Sequence, residues 1–119
     1  MTLASINASV PENEELGMAA ISASEILVGL YLGSPEFRQA RAAFVEEVFL
    51  AIPSYDFDLR IARLHAEIWA RLSRAGNMIN RHDLMIGTTA LSLGFGVLTY
   101  NVRDFDRIPG LIVQRPSWP

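Results

Sequence analysis

Between Asn80 and Phe105 the chain reads Asn-Arg-His-Asp-Leu-Met-Ile-Gly-Thr-Thr-Ala-Leu-Ser-Leu-Gly-Phe-Gly-Val-Leu-Thr-Tyr-Asn-Val-Arg-Asp-Phe, and no other stretch restricts the fold so tightly. Leu84, Met85, Ile86, Ala90, Leu91 and Leu93 make an almost wholly apolar helix. Its one carboxylate, Asp83, falls in the first turn after an Asn80 N-cap. A helix that is apolar on most sides has to be buried on most sides. Gly94 suits the position just past a helix end, and after Gly96 the run Val97-Leu98-Thr99 is short, apolar and partly β-branched, as in an interior parallel strand. The order is therefore helix, tight turn, buried strand. Past the carboxyl end of that strand, where open α/β sheets place their sites, stand Asn101, Arg103 and Asp104.

A chain of 119 residues that is half apolar makes one domain with a core, and it contains no apolar run near the ~20 residues of a membrane span. A soluble protein is expected. With no cysteine, disulfides and thiolate metal sites are excluded, and without a signal-peptide pattern the cytoplasm is the default compartment. A net charge of −3 argues against a protein that simply coats nucleic acid. All ten basic residues are arginine, however, and a few guanidinium forks gathered together hold a phosphate backbone or an acidic partner.

Met1 to Leu16 is polar, carries Pro11 and shows no period, so it is expected as an irregular lead-in. Met18-Ala19-Ala20-Ile21 fits a short buried strand. Ser22 or Ser24 then caps a helix through Leu32 that Gly33 closes, which puts Glu25 in a first turn. Ser34-Pro35 predicts a capped helix with an apolar stripe of Phe37, Ala40, Phe44 and Val48. Asp58 caps another, in which Ile61, Leu64, Ile68 and Leu72 face inward and Gly76 ends the run. Leu111 to Val113 fits an edge strand, and the Pro116 to Pro119 tail cannot pair in a sheet.

Glu25, Asp83 and Asp104 would meet at one edge of a parallel sheet, with no histidine or lysine partner apparent. Clustered carboxylates repel unless a hard cation sits between them, and Mg²⁺ or Mn²⁺ is the usual answer, commonly in phosphoryl transfer. The plainer alternative is that Glu25 and Asp83 are helix-start carboxylates and Asp104 a turn residue. His82-Asp83 is the dipeptide of metal-dependent phosphohydrolases of the HD type, but those sites need further histidines and only His65 is present. Asp56-Phe57-Asp58 has the spacing of an aspartyl-phosphate site, yet no apolar strand precedes it. Trp69 sits among core positions, so packing is its expected role.

Three segments together resemble the second, third and fourth motifs of PIN domains of the VapC toxin type: Ala20 to Gly29, Asn80 to Ala90, and Leu98 to Phe105. The resemblance covers about residues 18 to 113. It implies an α/β fold of three layers with a central parallel sheet, and an Mg²⁺-dependent (or Mn²⁺-dependent) endoribonuclease. It also implies an RNA substrate, a cognate VapB-type antitoxin and a homodimer or larger assembly, with no membrane association. Carried over by position, Glu25, Asp83 and Asp104 are the catalytic and metal-binding acids, and Asn101 is the alternative to Asp104 at the last site position. Thr99 orients that last site, and Arg81, Arg103 and Arg107 are candidates for phosphate. PIN domains open with an apolar strand ending in Asp, whereas residues 1 to 17 here hold no Asp, so an N-terminally truncated domain with impaired activity is expected. The competing expectation is a catalytically inactive PIN-like relic that binds an antitoxin or itself.

Overall fold

A computed structural model describes residues 16 to 117, which fall into two compact units meeting between Asp56 and Phe57. The first unit contains β1 (Met18–Ala19), α1 (Ala20–Leu32), a 3₁₀ turn (Pro35–Phe37), α2 (Arg38–Ala51) and β2 (Ser54–Tyr55). β1 and β2 run parallel, with Met18 opposite Ser54 and Ala19 opposite Tyr55, and the Met18 N–H donates to the Pro53 carbonyl at 2.9 Å. The strand expected over Met18 to Ile21 is therefore half that length. Ala20 already begins the helix, Ala19 stands at its cap with no side-chain hydrogen bond, and Ser22 and Ser24 lie inside it. Alanines at 20 and 23, with no Gly or Pro before Gly29, favour helix over strand, so Glu25 is moved from the first turn to the second.

The stripe expected on the next helix is corrected too. Pro35 opens a 3₁₀ turn rather than the α-helix, Ser34 makes no capping bond, and Val45 and Val48 are the buried residues of α2. Phe37 stays 56% exposed and, with Ala40, Arg41 and Phe44, lines an open groove. Helix α1 buries only Leu30 and leaves Ile26, Val28, Tyr31 and Leu32 exposed.

The second unit runs α3 (Leu59–Arg74), α4 (Arg81–Leu93), β3 (Val97–Leu98), α5 (Val102–Phe105) and β4 (Val113–Gln114). Here the sequence patterns hold. Asp58 caps α3 by accepting the Ile61 N–H at 2.9 Å, and Ile61, Ile68 and Leu72 are buried. Gly94, at φ +78°, ends α4 in the left-handed conformation that disfavours a side chain. β3 and β4 are parallel, with Val97 opposite Val113 and Leu98 opposite Gln114. The last strand begins two residues later than the sequence predicts, because the Leu111 N–H closes a turn on the Ile108 carbonyl at 3.3 Å. Trp118 lies outside the described residues.

The class is α/β with parallel pairing, made among the described residues by a two-stranded sheet in each unit. The core of the second unit joins Ile68 and Leu72 of α3 to Leu84 and Ala90 of α4, Val97 of β3, and Phe105 and Ile108. At Gly87 the loop side of this core comes so close that an added Cβ would collide with the Ile108 side chain and touch Phe105 and Leu111 at 3.4 Å. That close approach packs α4 directly on the segment that follows Asp104. Among the described residues no helix is long and apolar enough to cross a membrane.

Candidate active site

The start of α4 is fixed by Asn80, whose Oδ1 accepts the N–H of His82 at 2.8 Å and of Asp83 at 3.4 Å. Satisfying those two orphan donors orients the first turn and points a half-buried Asp83 to the side where β3 ends. Farther along, the Thr88 and Thr89 hydroxyls donate to the carbonyls of Leu84 and Met85, each at 2.7 Å. These bonds let two polar residues sit in the core, and no buried side-chain polar atom among the described residues lacks a partner.

The other half of the site hangs from β3. The Thr99 N–H donates to the Gln114 carbonyl at 2.9 Å, continuing the ladder, and the Thr99 hydroxyl oxygen accepts the Asn101 N–H at 3.0 Å. With its backbone held there, Asn101 donates from Nδ2 to Asp83 Oδ2 at 2.9 Å and to Asp104 Oδ2 at 3.1 Å. Asp104 stands in the single turn of α5, anchored by Phe105 at 3% exposure. Arg107 braces the same turn: its Nη1 donates to the Met78 carbonyl at 2.9 Å and lies 3.9 Å from Asp104 Oδ1.

The two residues offered for the last site position, Asn101 and Asp104, stand side by side, and one amide joins Asp104 to Asp83. The sequence offered no histidine or lysine partner for the acids, and the cation beside Asp104 is an arginine, Arg107, brought there by the turn after α5. One amide thus gives its two hydrogens to two carboxylates, and Arg107 stands beside the second of them. Glu25 is exposed on α1 in the first unit. Among the described residues no group of three or more His, Asp or Glu side chains is gathered as a ready metal cluster.

The arginines fare differently. Arg107 is committed to Met78 and Asp104, and Arg103 is exposed beside Asp104 in sequence. The Arg81 guanidinium carbon lies 5.3 Å from the centroid of the Trp69 ring, and Arg115 lies at the same distance over Tyr100. Neither Tyr100 nor Arg115 stood out in the sequence; the only signal was an aromatic residue immediately before Asn101. Behind Trp69, His65 meets its ring at 5.7 Å and Phe57 edge-on at 5.4 Å, and burial pushes the His65 imidazole below its usual range.

Comparison with known proteins gives a consistent result. The chain is 32% identical over 101 residues to "Ribonuclease VapC1" of Rickettsia felis, covering 84% of this chain and 75% of that protein. It is 36% identical over 72 residues to "tRNA(fMet)-specific endonuclease VapC" of Salmonella typhimurium, covering 60% of this chain and 54% of that protein. Among solved structures, VapBC-1 from nontypeable Haemophilus influenzae superposes with a TM-score of 0.81 at 24% identity, covering 94% of this chain and 82% of that one. No protein-family model matches.

Proposed function

The chain belongs to the VapC family of PIN-domain ribonucleases, and from that membership we propose that it is a metal-dependent endoribonuclease, the toxin of a toxin–antitoxin pair. The observation that carries the site assignment is the Asn101 amide shared between Asp83 and Asp104. It brings two hard oxygen donors from separate elements to one point, and the same amide carries a third oxygen. Such a set suits Mg²⁺ or Mn²⁺, whose preferred ligands are oxygens. Glu25 joins the set on its motif alone.

When bound, the divalent cation would polarise the scissile phosphate and lower the pKa of an attacking water. The chain's own contributions are distinct from that. Asp83 and Asp104 supply the negative charge that holds the cation, while Thr99, through the Asn101 backbone, fixes where the amide sits. Arg107 keeps the α5 turn against Met78, and Arg103 is exposed where it can meet a phosphate oxygen. Arg103 thereby sets positive charge beside Asp104 in a chain of net charge −3.

The exposed apolar residues of α1, with Tyr31 at 67% and Leu32 at 83%, support a protein partner for the first unit. We assign that face to a VapB-type antitoxin, with a second copy of the chain as the other occupant. The deciding experiment is Mn²⁺ titration by calorimetry, paired with an Mg²⁺-dependent cleavage assay on single-stranded RNA. Saturable binding and cleavage that Asp83→Asn both abolishes support the enzyme. No binding at millimolar metal leaves the inactive, partner-binding alternative.

A further inference from the structure

Two arginines do something that Arg107, beside Asp104, and Arg60, at the far end of α4, do not. Arg107 and Arg60 give their N–H groups to backbone carbonyls, of Met78 and Ser92 respectively. The Arg81 and Arg115 guanidinium carbons instead lie over aromatic rings, each 5.3 Å from the ring centroid. Pairs of this kind occur about once per 70–80 residues. The described residues hold three, of which two adjoin one site. Arg81 is the first residue of α4, two before Asp83, and Tyr100 immediately precedes Asn101. One pair therefore stands on each of the two elements that meet at the acids.

We infer that Arg81 on Trp69 and Arg115 on Tyr100 are stacking platforms for nucleobases of a single RNA strand, placed next to the phosphate offered to Asp83, Asn101 and Asp104. The inference rests on the proposal that RNA is the substrate. Trp69 packs on the core and is half-buried, so its ring is a fixed floor beneath the Arg81 guanidinium. Arg81 is itself exposed, so a base can stack on the guanidinium from the solvent side. Tyr100 is 44% exposed and Arg115 is exposed, which gives the second platform the same form. Stacking accepts any base because every base has a π-face, so these platforms select unpaired strands rather than a sequence. They also answer the charge problem, since stacking supplies affinity that a chain of net charge −3 cannot draw from phosphate contacts alone.

The test uses binding rather than turnover. A 2′-O-methyl oligoadenylate, its integrity checked on a gel after each titration, is titrated against the chain carrying Trp118→Phe, so that Trp69 is the only indole reporting fluorescence. The same backbone without bases serves as the comparison ligand, with Ca²⁺ present in both series. Stacking predicts quenching of Trp69 and an affinity for oligoadenylate higher than for the abasic strand. It also predicts a loss of about five- to a hundredfold for each platform removed by Arg81→Ala or Tyr100→Leu. Arg81→Lys, which keeps the charge without the plane, should behave like Arg81→Ala, and Tyr100→Phe should restore Tyr100→Leu. Circular dichroism melts of each variant show whether it is folded, and the two conservative variants keep the test valid if a truncation is not. Equal affinity for the two strands, with Arg81→Lys and Tyr100→Leu unchanged, would overturn the platforms while leaving RNA as the ligand. No binding of either strand would overturn the RNA reading and the platforms with it.

Discussion

The shared amide makes a specific demand on Asn101. Replacing it by aspartate keeps the size and shape of the side chain but turns a double donor into an acceptor facing two acceptors. Contacts of 2.9 and 3.1 Å become like-charge pairs. At about 3 Å in a water-like dielectric each pair costs ~1.4 kcal/mol, and rotation of the exposed side chain out to ~5 Å reduces that to ~0.8. Two lost charge-assisted hydrogen bonds, discounted for exposure, add about 0.5 kcal/mol each. Asn101→Asp in chelator should therefore cost about 2–3 kcal/mol, or a fall of roughly 8–12 °C at ~4 °C per kcal/mol. Mn²⁺ at a hundred times its Kd returns about 2.7 kcal/mol, so metal should bring the variant back to the wild-type melting temperature or above it. Asn101→Ala, which removes the bonds without adding charge, should fall between the two in chelator. Calorimetric melts of the three proteins with and without Mn²⁺ read all of this. A variant as stable as wild type in chelator would show that the amide does not hold the two carboxylates together, and the site assignment would lose its main support.

Two further outcomes are expected. Gly87→Ala gains about 1 kcal/mol of helix propensity but forces a methyl into Ile108, which is 1% exposed, at an overpacking cost of ~1–3 kcal/mol, so thermal melts should show a net loss of up to ~2 kcal/mol. Burial lowers the His65 pKa in the folded state, so the unfolded chain binds more protons there: its contribution is complete above the ordinary value of 6.5 and is lost as pH falls below it, and His65→Phe should flatten that part of a melting-temperature profile.

The second unit was far more legible in the sequence than the first, and the difference has a physical cause. Helix α4 starts at a side-chain cap and stops at a left-handed glycine, and α3 starts at Asp58; each signal is a local hydrogen bond or a local backbone constraint. Such signals survive in sequence because they do not depend on distant residues. Ala19 caps α1 with no side-chain bond, so nothing marked its beginning, and two serines that fit caps drew the boundary too late. The stripe through Phe37 and Phe44 failed for the opposite reason. Its spacing was right for a buried face, but spacing says which residues share a side and not whether anything covers them.

The same distinction explains the site. Asp83, Asn101 and Asp104 stood out in the sequence because each sits at a fixed offset from a helix start or strand end, and parallel strands bring such ends together, whereas Thr99 entered only through the motif it shares with PIN domains. What joins them was not legible. The amide bridge spans eighteen positions and the brace from Arg107 to Met78 twenty-nine. The first depends on how closely α4 approaches the turn after β3, and at Gly87 the helix packs directly on the Ile108 side chain. A glycine in the middle of a buried helix looks in sequence like a small loss of helix stability. In the structure it marks where the backbone must come near. If that approach positions the acids, Gly87→Ala should weaken Mn²⁺ binding as well as stability, although the added methyl would meet Ile108, Leu111 and Phe105 rather than either carboxylate. Calorimetric Kd values for Mn²⁺, taken at a temperature where the variant is folded, decide between a residue that only packs and one that sets the spacing of the site. An unchanged Kd would place the control of that spacing in Asn80 and Thr99 alone.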